Sequence, residues 1–371
     1  MLLVSAGEGS GDAMAAPVVR RLGVDAFGLG GAELRAAGVE LLTDASSISA
    51  MGIGSVLARA PRIASAARKL LARAKQLRPR AALLVGYSEF NGWLGPRLRE
   101  LGTRVLWYAP PQVWAWRGER APTLKHACDR MAVILPFEQR LWRSHGVSAT
   151  YVGHPALEAP SVSRDAARER FGMTPYAEYV AVLPGSRPRE VSAHLPAMLE
   201  AVALLRAERG ALDARIVLTP TLPRRVADGV ARRAAQAGVS VISSNAPPVL
   251  PAFDVALAAS GTVTMECVLS EVPPVIGYRT GALSEAMARR YLSIDHVGLP
   301  NIVLGRGVFP ELLQSALTAD ALADEAGRLL DEREAWLSRC RAVRASLEEP
   351  LEEDTEMPSE RVAEHMKPWL S

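Results

Sequence analysis

LLVSAGEGSGDAMAAPVVRRLGVDAFGLG, residues 2–30, reads as a strand, a glycine-rich turn, a helix and a second strand. Leu2–Ser5 and Ala26–Leu29 are short apolar runs, and Gly11–Leu22 between them has the length of a helix. Parallel strands joined by helical crossovers produce this alternation. It continues through candidate strands Ala81–Val85, Arg104–Tyr108, Met131–Leu135 and Ala149–Val152, with helices over Pro61–Gln76, Gly92–Leu101 and Phe137–His145. GHPALEAPSVS (Gly153–Ser163) interrupts it with two prolines and reads as a linker. The alternation then restarts with Tyr179–Leu183, Arg215–Thr219, Val239–Ile242, Val255–Ala258 and Pro274–Ile276. The expectation is an α/β fold of two Rossmann-like doubly wound domains facing a cleft, residues 1–157 and 158–346. Residues 347–371 are expected to form an acidic linker and a last helix, Glu360–Trp369, that crosses back to the first domain.

Composition narrows the class. A chain of 371 residues exceeds one ordinary core, and 49% hydrophobic residues with 22% charged ones exclude a disordered or collagen-like chain. The net charge of +3 permits an anionic ligand or leaflet without demanding nucleic acid. Cys128, Cys267 and Cys340 form no CxxC pair, which argues against a disulfide framework or zinc and for a reducing cytoplasm. The stretch MLLVSAGEGSGD lacks the basic and long apolar regions of a signal peptide, and no apolar run is long enough to span a bilayer. The histidines show no paired metal-ligand spacing, so no metal is expected.

Five segments have the composition of a site. SAGEGSGD (Ser5–Asp12) follows a strand and opens a helix, where glycines admit a ligand and free amides attract anions; Ser10 or Asp12 would serve equally as a helix cap, but a turn has no need of Glu8. LPGSRPREV (Leu183–Val191) repeats the geometry, with Gly185 and Ser186 shaping a turn and Arg187 offering a planar fork to phosphate oxygens. AASGTVTMECV (Ala258–Val268) repeats it again: Ser260, Gly261 and Thr262 form the turn, and Glu266 shares a helix face with Thr262, where it would hold ribose hydroxyls. Tyr278 and Arg279, then Asn301 and Arg306, stand at strand or loop ends. YAPPQVWAWR (Tyr108–Arg117) is a rigid aromatic loop, read as core packing or as a surface for a sugar or lipid beside Arg117 and Arg120. In addition, Val56–Arg80 carries eight basic residues among apolar ones, the composition of a solvated helix or of one lying on an anionic membrane.

Together these segments resemble the lipid-A-disaccharide synthase family of bacterial glycosyltransferases. The matching stretches are SAGEGSGD, FGLGGAELRAAGVE, AMGIGSVL, SEFNGWL, YAPPQVWAWR, LPFE, YVGHP, LPGSRPREV, ASGTVTMEC, PPVIGYR and LPNIVLGRGVFPELLQ, in that order from Val4 to about Gln314. The resemblance implies a GT-B fold and an inverting transfer from UDP-2,3-diacylglucosamine to 2,3-diacylglucosamine 1-phosphate, with no metal or other cofactor. It implies a donor site built from Gly185, Ser186, Arg187, Ser260, Gly261, Thr262, Glu266, Tyr278, Arg279, Asn301 and Arg306. It turns Gly7, Ser10, Gly11, Asp12 and Asn91 toward the acceptor. It also implies attachment to the cytoplasmic face of the inner membrane, no nucleic acid, and a homodimer as the one protein partner considered. The family's Asp-Ala/Ser-Pro-Asp-Phe-Asn becomes Gly86-Tyr87-Ser88-Glu89-Phe90-Asn91 here. The leading Asp is lost, leaving Glu89 and Glu8 as candidate catalytic bases. The same loss leaves open a sugar-nucleotide enzyme with another acceptor, or a non-catalytic binder of UDP-sugar or lipid.

Overall fold

Strands that read as unbroken apolar runs need cover on both faces, and the crossover helices supply it. The computed structural model describes residues 1–48, 53–116, 118–281, 294–351 and 356–371, with side chains from residue 60 onward in the helix Ile53–Leu77. Arg117, part of AMGIGSVL, the side chains of Val56 and Arg59, and residues 352–355 of the acidic linker lie outside the described residues. Met1–Leu157 with Pro350–Ser371 forms one unit, and Glu158–Glu349 forms a second.

The first unit holds β1 (Leu2–Ala6), β2 (Ala26–Gly30), β3 (Glu40–Asp44), β4 (Ala81–Val85), β5 (Arg104–Tyr108), β6 (Arg130–Val133) and β7 (Ala149–Tyr151), in sheet order β3-β2-β1-β4-β5-β6-β7. The second holds β8 (Glu178–Leu183), β9 (Leu212–Leu218), β10 (Ser240–Ser243), β11 (Val255–Ala259), β12 (Pro274–Tyr278) and β13 (Glu311–Leu313), in order β10-β9-β8-β11-β12-β13. All the strand pairs are parallel. Both units are therefore Rossmann-like. The central strands β1, β4 and β11 are buried along their whole length. Sequence reading passes over β3 and β13, two edge strands whose residues are only partly buried or exposed and so lack a continuous apolar run.

Strand order reverses between β1 and β4 in one sheet and between β8 and β11 in the other. At such a point, loops leaving neighbouring strands diverge and open a crevice at the carboxyl ends. Four segments singled out by sequence sit there: Gly7–Asp12 after β1, Gly86–Asn91 after β4, Pro184–Arg187 after β8, and Ser260–Thr262 after β11.

In the first unit Leu3, Phe27, Leu84, Phe90, Trp107 and Trp142 share one core. The helix Pro358–Leu370 packs on this unit by burying Val362, Ala363 and Met366, with an Arg21–Glu360 ion pair at 3.0 Å and Arg130 Nη1 donating to His365 Nδ1 at 2.9 Å. The helix Ile53–Leu77 turns Ala66, Ala67, Leu70 and Ala74 into the core and leaves Arg62, Arg68, Lys69 and Lys75 exposed. Among its described side chains the buried stripe is spent on the fold, and these cations lie on the exposed side.

Two polar residues expected at the acceptor are buried and engaged by neighbouring groups. Asn91 is fully buried; its Oδ1 accepts the Ser5 hydroxyl at 2.7 Å, and its Nδ2 donates to Gly86 O at 2.9 Å and lies within reach of the Val85 and Ser5 carbonyls. It ties β1 to the turn after β4. Asp12 is buried with its carboxylate accepting the Gly31, Glu33 and Leu34 amides at 2.7–3.2 Å, so it caps the helix Ala32–Ala36 instead of its own. Both arrangements have one cause, since a buried polar side chain must have hydrogen-bond partners, and nearby backbone supplies them. We expect Asn91→Leu, which strands the Ser5 hydroxyl and the Gly86 carbonyl, to cost about 2–4 kcal/mol in urea unfolding; a change below about 0.5 kcal/mol would contradict the strut.

Candidate functional site

The site is clearest in the second unit. β8 ends at Leu183, and the chain turns at Pro184–Arg187 into the helix Pro188–Arg209. Gly185 sits at φ +116°, and a Cβ there would lie 2.6 Å from the Glu190 side chain. Only glycine leaves that space, and Glu190 fills it. The Glu190 carboxylate accepts the Ser186 amide at 3.1 Å and Arg187 Nη1 at 2.7 Å. Arg187 remains 40% exposed while held in place by Glu190.

On the neighbouring strand, β11 runs into Ser260–Thr262. The Ser260 amide donates to Gly277 O at 3.0 Å and its hydroxyl to Val297 O at 2.8 Å, so this side chain braces the turn. Gly261 and Thr262 are exposed, and no side chain caps the helix Thr262–Leu269 that starts there. Uncapped first-turn amides at a positive dipole end suit a phosphate oxygen. One turn on, burial pushes the Glu266 carboxyl up to about 7, and that side chain makes no hydrogen bond or ion pair with any described residue. A half-buried carboxylate without a partner is costly unless a ligand uses it.

β12 delivers Tyr278 and Arg279. The Tyr278 ring lies 5.6 Å from that of His194, and its phenol is pushed up by burial and Glu190 against the opposing pull of Arg187, which sets it beside the Arg187 turn. The Arg279 guanidinium donates to the Gln314 carbonyl at 3.1 Å and to that of Leu317, so it anchors the chain after β13. Asn301 is likewise held by its own chain. It is fully buried, donates to Phe309 O and Glu311 Oε1, and accepts the Val308 and Phe309 amides, all within 2.9 Å. Arg306 is exposed just beyond.

In the first unit Glu8 precedes the helix Gly9–Leu22 in extended conformation and is partly buried, Ser10 is exposed, and Gly11 is buried inside the helix. Gly7 lies so close to Tyr87 that a Cβ would meet its ring at 2.2 Å. Gly86, in place of the family's Asp, has φ +50° and open space where a Cβ would project. Glu89 is 74% exposed and meets the Arg120 fork with both oxygens, at 2.5 and 2.9 Å.

Sequence reading missed Glu190, Glu311 and Glu138. Glu190 stands three residues past the residue that opens its helix, the position of a capping-box acid, a usable signal obscured by Arg187 at the cap. Glu138 lies in LPFE: burial pushes it up to about 7, against hydrogen bonds from Trp114 Nε1 and the Ile134 and Leu135 amides. Through Trp114 it holds the aromatic loop. Among the described residues no helix is long and apolar enough to cross a membrane, and no cluster of three or more His, Cys, Asp or Glu side chains is placed to hold a metal. All three cysteines are buried and free.

The Glu266 carboxyl gives a signed pH dependence. It holds its proton up to about 7 in the fold, against 4.5 ordinarily, so wild-type stability falls as pH rises through that window. Glu266→Gln removes the titration. The variant should match wild type near pH 4.5 and exceed it by about 1–3 kcal/mol at pH 8, the partial exposure keeping the figure low; urea midpoints that keep a constant gap across this range would contradict an unpaired buried carboxylate.

Comparison with known proteins gives one family. The model of lipid-A-disaccharide synthetase matches residues 2–363. The lipid-A-disaccharide synthase of Anaeromyxobacter dehalogenans is 42% identical over 94% of both chains, and that of Geobacter sulfurreducens 38% identical over 98% of this chain and 95% of its own. Among solved structures, a Staphylococcus aureus MnaA–UDP complex superposes with a TM-score of 0.67 at 12% identity, covering 100% of this chain and 96% of the other. WaaG, a glycosyltransferase of lipopolysaccharide biosynthesis, superposes with a TM-score of 0.58 at 10% identity over 98% and 99%. Identities that low show the fold alone, the GT-B class of paired Rossmann-like domains. The match through both units, at well over a third identity to named relatives, shows that this chain belongs to the lipid-A-disaccharide synthase family.

Proposed function

We propose that the protein transfers a 2,3-diacylglucosamine unit from UDP to 2,3-diacylglucosamine 1-phosphate, forming a β-1′,6-linked tetraacyl disaccharide 1-phosphate and UDP. The observation that carries the donor half is the second unit's switch point, where a braced Arg187 and an uncapped helix start follow adjacent strands, with Glu266, which has no partner among the described residues, one turn into that helix. As the acceptor hydroxyl attacks the anomeric carbon and the bond to UDP breaks, negative charge grows on the departing diphosphate. Arg187 and the amides of Gly261–Val263 stabilise it without a metal, and the Glu266 carboxylate accepts the ribose hydroxyls. Tyr278 and Arg306 complete the donor surface.

The acceptor belongs to the first unit. Of the two candidate bases we take Glu8: it follows β1, the neighbour of β4, which runs into Gly86, whereas both oxygens of Glu89 engage Arg120. Gly7 and Ser10 flank Glu8 on the same turn. The family relationship across both units favours this reaction over another acceptor or a non-catalytic binder. The exposed cations of the helix Ile53–Leu77 suit attachment to an anionic leaflet at the cytoplasmic face through charge, and a homodimer is compatible with this scheme.

Purified protein given both acylated substrates should release UDP and form the disaccharide without added metal; no product at any enzyme level would defeat the proposal. Arg187→Ala should lower kcat/KM by roughly 30- to 1,000-fold, the effect of removing one charge-stabilising donor. Glu8→Gln should abolish most turnover and Glu89→Gln should leave most of it; the reverse pattern would return the base to Glu89.

A further inference from the structure

His194 has no part in the chemistry above, yet its ring is fully buried between two segments of the donor side. It lies in the helix Pro188–Arg209, and each ring nitrogen faces a backbone group. Nδ1 is 2.9 Å from the Pro184 carbonyl, which can only accept, so Nδ1 carries the hydrogen. Nε2 is 3.0 Å from the Arg279 amide, which can only donate, so Nε2 presents its lone pair; the Arg279 carbonyl lies further off at 3.3 Å. The neutral Nδ1–H tautomer satisfies both contacts at once.

The two contacts join particular places. Pro184 is the residue before Gly185, Ser186 and Arg187, and Arg279 is the residue after β12 and Tyr278. β8 and β12 flank β11 in the sheet, so the imidazole links the loops on either side of the Ser260–Thr262 turn. The Tyr278 ring packs 5.6 Å from it on the same side. Arg279 is in turn tied to the Gln314 and Leu317 carbonyls, which makes that end of the strut rigid.

We propose that His194 is a positioning residue for the donor site: it sets the separation between the Arg187 turn and Tyr278, and so the affinity for the nucleoside diphosphate, without touching it. The inference rests on the donor-site reading above. Its test uses the full chain. His194→Leu keeps apolar bulk and removes both hydrogen bonds. His194→Gln carries a donor and an acceptor about as far apart as the ring nitrogens, and His194→Asn is too short to bridge both partners. KM for the UDP-sugar, KM for the acceptor, kcat and the Kd of UDP by calorimetry are measured together with urea unfolding.

The Leu variant should raise donor KM and UDP Kd by roughly tenfold or more, with acceptor KM unchanged and with Gln restoring most of the loss. Should Leu fail to fold, Gln must still bind UDP near wild-type affinity while Asn loses roughly tenfold. Unchanged UDP affinity in Leu, or in both Gln and Asn, overturns the strut while leaving the donor site intact, and so do equal losses for donor and acceptor. A wild-type protein without affinity for UDP overturns the donor-site reading and the strut together.

Discussion

The Glu190 carboxylate takes the Ser186 amide and the Arg187 guanidinium together, inside a turn that only glycine at 185 leaves room for. The donor side follows from that one contact. An arginine on a loop spends most of its time in water, with many rotamers to lose on meeting a ligand. Pinned by a carboxylate from the next helical turn, it has lost much of that freedom before the ligand arrives, and it stays partly exposed. His194 extends the same economy one layer outward by holding the turn itself.

Opposite electrostatics meet on the neighbouring strand. Glu266 has no partner among the described residues and holds its proton toward neutrality, so the fold carries a strained carboxyl beside an uncapped helix start. Natural sequences keep such groups where binding needs them. An anionic diphosphate and a hydroxyl-rich ribose would present complementary chemistry to the two features, oxygens to the amides and hydroxyl hydrogens to the carboxylate.

The first unit shows the converse. Asn91 and Asp12 look chemical in sequence because they stand in glycine-rich or acidic motifs, but each is consumed by backbone. Asn91 ties β1 to the turn that carries Gly86, and Asp12 caps the helix Ala32–Ala36. The lost family Asp leaves an opening in space instead of a collapsed turn, since nothing packs where a Cβ at residue 86 would lie. The left-handed backbone at that position accommodates glycine without strain.

Apolar runs made eleven of the thirteen described strands legible within a few residues, because most of them are buried on both faces and write their position as continuous hydrophobicity. The edge strands β3 and β13 left no such trace. The glycine-rich turns, and the motif order that names the family, were also legible, since local backbone geometry dictates those residues. What sequence alone did not decide was which groups each polar side chain meets. Arg187 and Arg279 are the same residue type in comparable settings, yet Arg187 pairs with a carboxylate three residues on and Arg279 with carbonyls thirty-five or more residues away. Asn301, Glu311 and His194 likewise found partners only through chain reversals that bring distant backbone together. The sequence determined strands, turns and family because those are short-range or pattern properties. The tertiary structure decided which side chains are scaffold and which are site, because a buried donor or acceptor is claimed by whatever distant group the fold sets against it.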